Sequence, residues 1–149
     1  MDEGNQFARG HPAIHVLPAI LSISSKKNNN YKEFLEAFII GYDVAARIGL
    51  ACNLNLNMHP HGTWGGVGAA AALARLLKLD GNDTKELLNI ASSLTLATSR
   101  KTMLEGGTVR NTYAGHFKPN GLNVSKIIDC RILWRNRWNK ICFWISSFK

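Results

Sequence analysis

Residues 62–79, GTWGGVGAAAALARLLKL, decide the fold. Alanine and leucine favour the α-helix, and no proline interrupts the stretch. Its only charged residues are Arg75 and Lys78. Because a helix that is apolar on every side is normally buried, the pattern predicts a central helix over about residues 62–79.

Histidines and glycines gather at the start of this helix, in HPHGTWGG (residues 59–66). The first N–H groups of a helix lack intrahelical partners and attract anions such as carboxylates. A histidine beside such an anion can move a proton near neutral pH. The stretch therefore indicates acid–base chemistry on a carboxylate, although glycines in this pattern also simply let helices pack closely. His59 and His61 lack the third ligand of a zinc site, so we expect no metal.

The remaining periodicity up to residue 125 is also helical. Apolar spacing predicts helices over residues 12–24, bent at Pro18, and over residues 31–49 and 83–97. Capping-box spacing occurs at Asn30 and Glu33 and again at Asp83 and Glu86, and Gly81 suits the C-terminal cap of the central helix. Residues 100–111 are predicted as a loop. Because no strand-like alternation occurs, the predicted fold class is all-α, a set of packed helices.

The chain divides into two regions of different composition. Residues 1–125 are the predicted helical domain, and residues 126–149 are a basic, aromatic tail with three of the four tryptophans. The net charge of +8 is concentrated in this tail. Two interpretations of the tail stay open: a surface that binds RNA or anionic lipid, or sequence that is out of frame. We favour the second and expect no nucleic-acid partner and no membrane association. Three unpatterned cysteines and a polar start predict a cytoplasmic protein.

Two further stretches carry candidate site residues. LEGGTVRNTYAG (residues 104–115) places Arg110 after a flexible glycine turn, and arginine is a planar, permanently charged partner for a carboxylate. DEGNQFARGHP (residues 2–12) brings Asp2, Asn5 and His11 together before a helix. Each stretch is equally consistent with a solvated surface loop. His15, on an apolar helix, is predicted to be a core histidine with its hydrogen bonds satisfied.

Four segments, in this order and at these separations, resemble the MmgE/PrpD family, which includes 2-methylcitrate dehydratase, cis-aconitate decarboxylase and iminodisuccinate epimerase. The segments are DEGNQFARGHPAIHVLPAIL, LEAFIIGYDVAARIG, MHPHGTWGGVGAAAALARLLKLD and LEGGTVRNTYAG. The resemblance covers about residues 1–122. It implies a helical domain and a lyase or isomerase that acts on small di- or tricarboxylates without a cofactor.

The resemblance also implies roles for particular residues. His59, His11 and Asp2 match or lie near catalytic positions, and Arg110, Asn5 and Thr63 are expected to bind substrate. Which histidine takes the proton and which assists the leaving group stays open. Family members are far longer and carry a second domain, and the full-length relatives are expected to be homodimers. We therefore expect a fragment with uncovered apolar faces, prone to association and weakly active or inactive alone. The alternative is a non-catalytic binding module that uses the tail.

Overall fold

The computed structural model describes residues 3–117, which form helices joined by loops and turns and contain no strand. The helices are α1 (Pro12–Lys27), α2 (Tyr31–Ala51), α3 (Gly65–Leu76), α4 (Gly81–Ser93), α5 (Arg100–Leu104) and α6 (Arg110–Tyr113), followed by a 3-10 helix, Ala114–Phe117. The predicted all-α fold class is confirmed. Asp2 and the tail over residues 126–149 lie outside the described residues.

Helix α3 lies at the centre, packed against α1, α2 and α4. Eleven of its 12 residues are buried, as its near-uniform apolar sequence predicts. Two glycines bring α2 and α3 unusually close. A Cβ atom on Gly41 would lie 2.6 Å from Ala72 Cβ, and one on Gly68 would lie 2.4 Å from Ala45 Cβ. Close helix packing therefore accounts for Gly41 and Gly68.

Small side chains form the face of α2 that meets α3. The amphipathic helix is present, but its buried residues are Ala37, Gly41, Ala45 and Gly49. Larger apolar residues on other faces of the same helix, including Leu35 and Ile39, are exposed. Phe7, Leu21, Leu50 and Leu56 are exposed as well. The described region thus has the uncovered apolar surface that the sequence predicts.

Local signals around α1 and α2 are largely confirmed. The capping box at Asn30 is present, with the Glu33 N–H donating to Asn30 Oδ1 at 2.9 Å. Asp43 and Arg47 pair at 2.7 Å on the exposed side of α2. Helix α1 continues through Pro18 to Lys27, three residues beyond its predicted end.

Other boundaries differ from the prediction. The central helix begins at Gly65 rather than Gly62, and Lys78 follows it with a φ of +56°. Gly81 is therefore not its cap but the first residue of α4, where Asp80 accepts the Asp83 N–H. The predicted second capping box at Asp83 is wrong, because Asp80 already caps this helix. Residues 100–111 contain α5 and the start of α6 rather than a continuous loop.

No helix within residues 3–117 is both long and apolar enough to cross a membrane. The alternative function as an RNA- or lipid-binding module depends on the tail and so falls outside the described residues.

Candidate active site

Four histidines meet where the start of α1 packs against the loop before α3. His11 directly precedes α1, His15 lies one turn into it, and His59 and His61 belong to the loop. The ring of His61 is central, with its centroid 4.5 Å from that of His59, 5.0 Å from that of His11 and 5.5 Å from that of His15. We call these four residues the histidine cluster.

Gly65 makes room for the cluster. A Cβ atom at this position would lie 2.2 Å from Cδ2 of the His15 ring, a distance that no side chain could tolerate. The first glycine of α3 is thus required by an imidazole that lies against the helix start. This contact explains why a helix-destabilising residue begins a helix that is rich in alanine.

The segment that carries His59 and His61 is held in place by Thr98. The His59 N–H donates to the Thr98 carbonyl at 2.8 Å. In return, Thr98 Oγ1 lies 2.9 Å from the His59 carbonyl and 2.6 Å from the His61 carbonyl. Thr98 is itself buried. These buried hydrogen bonds fix the backbone from which both imidazoles project.

The ring of His59 has its tautomer set by its neighbour. The backbone N–H of His61 donates to His59 Nδ1 at 3.1 Å. Because Nδ1 accepts this hydrogen bond, the neutral His59 ring carries its proton on Nε2. The Nε2 atom of His59 is therefore a donor.

The ring of His11 has the opposite tautomer. Its Nδ1 contacts the backbone carbonyl oxygen of Glu3. A carbonyl oxygen can only accept, so Nδ1 must carry the proton. The Nε2 atom of a neutral His11 is therefore left with a lone pair that can accept a proton.

Burial keeps the inner histidines neutral. The pKa of His61 is lowered to about 3, first by desolvation and then by the charges of His59, His15 and His11. Desolvation followed by the charges of His11 and His59 lowers the pKa of His15 to about 4. The pKa of His59 is also lowered, by desolvation and then by Arg110, His11 and Arg100. At neutral pH these three rings are uncharged.

Three ring nitrogens of the cluster are buried without a partner. Nδ1 and Nε2 of His15 and Nε2 of His61 make no hydrogen bond to any residue within 3–117. His15 is buried as predicted, but the expectation that its hydrogen bonds are satisfied is wrong. An unpaired buried polar atom is costly, and such atoms gather at functional sites.

Two residues from the C-terminal part of the described chain lie near the cluster, the positively charged Arg110 and the aromatic Tyr113. Arg110 is half-buried and makes no ion pair with a described carboxylate, and its charge acts on His59 and His61. The Tyr113 ring in α6 lies with its centroid 5.9 Å from that of His59. The structure thus brings the charge of Arg110 to His59, which the sequence singled out, and also to His61.

A family model described as the MmgE/PrpD N-terminal domain matches residues 5–125. The chain belongs to the MmgE/PrpD family. This confirms the resemblance drawn from the four segments and links the chain, at family level, to dehydratase-like enzymes. No curated protein matches the chain significantly. The MmgE/PrpD match includes all four histidines of the cluster and Arg110.

The two other substrate-binding candidates that the structure describes make hydrogen bonds within this MmgE/PrpD domain, and Asn5 Nδ2 also lies 3.5 Å from the Tyr42 hydroxyl of α2. Asn5 Oδ1 accepts the Ala8 N–H at 2.9 Å, within the turn before His11. Thr63 is buried, and its hydroxyl donates to the Pro60 carbonyl. Asp2, the third catalytic candidate, lies outside the described residues. No group of three His, Cys, Asp or Glu side chains within residues 3–117 has a metal-binding arrangement.

Sequence reasoning gave no active role to His15, His61 or Tyr113. One signal was available for Tyr113: it follows Arg110 by three residues, which places both on one face of a helical turn. No local signal marks His15, because its contact with His61 joins two segments 46 positions apart. Only the packing of α1 against the start of α3 reveals it.

Proposed function

We propose that this MmgE/PrpD domain carries the proton-transfer groups of a lyase or isomerase for small di- or tricarboxylates, similar to 2-methylcitrate dehydratase. In the proposed reaction, His11 takes a proton and His59 gives one. The observation that carries this proposal is the opposite tautomers of the two rings, set by the Glu3 carbonyl and the His61 N–H.

The first proposed step removes a proton from the carbon next to a substrate carboxylate. His11 Nε2 accepts this proton, and the C–H electron pair moves toward the carboxylate to form an enolate-like species. The guanidinium of Arg110 stabilises the negative charge that develops. The positive potential that lowers the pKa of His59 supports this placement of Arg110.

In the second proposed step, His59 gives a proton to the leaving hydroxyl group. His59 Nε2–H donates to the β-hydroxyl group, so that the C–O bond breaks and water leaves as the double bond forms. The neutral His59 ring that burial favours becomes an imidazolate when it gives this proton, and Nε2 is then reprotonated from solvent while His11 releases to solvent the proton that it took. Donation to the opposite face of the carbon instead would give epimerisation. We favour dehydration, with weak activity expected from this chain alone.

Hydrogen exchange in D₂O tests the assignment of roles. The full chain is incubated with citrate or 2-methylcitrate, and deuterium uptake and alkene formation are followed by NMR. His11→Gln is expected to lower exchange by about 100-fold or more, since it removes the base. His59→Gln should keep exchange but lose alkene formation to a similar extent.

Arg47→Gln, an exposed change on α2, serves as the control and should behave like the wild type. If His59→Gln abolishes exchange while His11→Gln retains it, the two roles are reversed. If the wild type exchanges no proton of either acid, the chain does not carry this chemistry.

A further inference from the structure

A polar cavity lies against the loop that carries His59, with Met58 and Pro60 in its lining. Its volume is about 160 Å³, and none of the cluster histidines lines it. Arg9 and Arg100 line this cavity together with the amides Asn53 and Asn55 and the apolar side chains Leu54 and Met58. The cavity therefore combines two permanent positive charges with an apolar wall.

The turn that carries Arg9 is held by hydrogen bonds, and its backbone is strained at Arg9. The Asn5 N–H donates to the Gly10 carbonyl at 2.9 Å, and the Ala8 N–H donates to Asn5 Oδ1 at the same distance. Arg9 has a φ of +52° within this turn, a conformation that favours glycine. An arginine is thus held at a position where glycine would be less strained. Strained residues of this kind cluster at functional sites.

Arg100 is anchored on the opposite wall by backbone pairing. Its N–H donates to the Asn57 carbonyl at 2.9 Å, and Met58 forms a bridge with Ser99. The two arginines therefore come from separate segments, each fixed by backbone hydrogen bonds, and reach one cavity.

No described carboxylate neutralises either guanidinium. Arg47 pairs with Asp43, and Arg75 pairs with Glu36, whereas Arg9 and Arg100 make no ion pair within residues 3–117. Two cations that share a cavity repel each other unless an anion enters between them. The apolar wall of Leu54 and Met58 favours an anion with a hydrocarbon body.

We propose that this cavity is a binding site for a small organic anion, a carboxylate carried on a short apolar chain. Arg9 and Arg100 bind the carboxylate, and the side chains of Leu54 and Met58 contact the chain. None of the cluster histidines lines this site, although the charge of Arg100 also lowers the pKa of His59, and the proposal does not depend on the proposed proton transfer.

Calorimetric titration of the full chain with hexanoate tests the proposal, with hexanamide as the neutral control of equal length. We expect hexanoate to bind and hexanamide to bind at least about tenfold more weakly, because charge-assisted hydrogen bonds are lost. Arg100→Gln should weaken hexanoate binding by a similar factor. Lys26→Gln, in the last turn of α1, should leave it unchanged.

Arg9→Gly tests the second arginine with a substitution that the strained turn should accept. Glycine relieves the positive φ, so this variant should unfold at the same or a higher temperature while losing about tenfold in affinity. Equal binding of hexanoate and hexanamide, or no binding of hexanoate, would overturn the proposal. So would wild-type affinity in a folded Arg9→Gly, Arg100→Gln double variant. His11→Gln should bind hexanoate normally, which separates this site from the histidine cluster.

Discussion

A single glycine decides whether the histidine cluster can form. Gly65 lies where any Cβ atom would overlap the His15 ring, so the imidazole and the helix start occupy each other's space. We expect Gly65→Ala to lower the free energy of unfolding by about 2 kcal/mol despite the better helix propensity of alanine. Urea unfolding followed by circular dichroism measures this change.

The double variant Gly65→Ala, His15→Ala tests the stated cause. Removing the ring opens the space that the new methyl group needs, so the double variant should lose less stability than the two single changes together. Strict additivity would show that His15 is not what excludes a side chain at position 65.

The sequence identified some residues of the candidate site and missed others for a physical reason. His11, His59 and Arg110 were singled out because glycine- or proline-containing motifs surround them. His61 was considered only as a metal ligand, and His15 only as part of the core. Their roles in the cluster depend on a tertiary contact, and on a backbone N–H whose direction a residue pattern does not specify.

At the scale of the helix, the sequence predicts that a helix is present better than it predicts the residues at which the helix begins and ends. The composition of the central helix is enough to predict that helix. For α4, however, Asp80 and Asp83 are both suitable N-cap residues, so the sequence allows two starting positions. Asp80 is the N-cap residue in the structure, because its carboxylate accepts a hydrogen bond from the Asp83 N–H. Likewise, the helical period of α2 was clear, whereas the face that meets α3 follows from the close approach of the two backbones rather than from hydrophobicity.

That close approach gives a prediction about the helix pair. A methyl group at Gly41 would lie 2.6 Å from Ala72 Cβ and 2.7 Å from the Gly68 carbonyl oxygen. We expect Gly41→Ala to cost about 2–3 kcal/mol in unfolding free energy, because α2 and α3 must separate. Gly81→Ala, where a Cβ meets nothing within 4 Å, is the matched control and should be neutral or slightly stabilising. Equal effects of the two substitutions would argue against tight packing of α2 on α3.

For the whole molecule, the buried histidines couple folding to pH. The folded pKa is about 4 for His15 and about 3 for His61, against 6.5 for an ordinary histidine. Below pH 6.5 the unfolded chain binds protons that the folded chain excludes. The contribution of the two histidines to the free energy of unfolding is therefore fully present above about pH 6.5 and is lost as the pH decreases toward 4.

Thermal and urea unfolding between pH 7.5 and 5 isolates this contribution. Glu33, whose pKa is lowered from 4.5 by Lys78 first and then by Asn29 and Asn30, stays ionised over that range. We expect the unfolding free energy to decrease by about 4 kcal/mol from pH 7.5 to 5, about half of it from His15 and half from His61. His15→Leu removes one of the three buried imidazoles and should reduce the loss of stability below pH 6.5 by about 2 kcal/mol. A slope that His15→Leu leaves unchanged, or stability that is constant across the range, would mean that the cluster does not exclude protons in the folded state. The neutral state on which the proposed donor role of His59 depends would then lose its support.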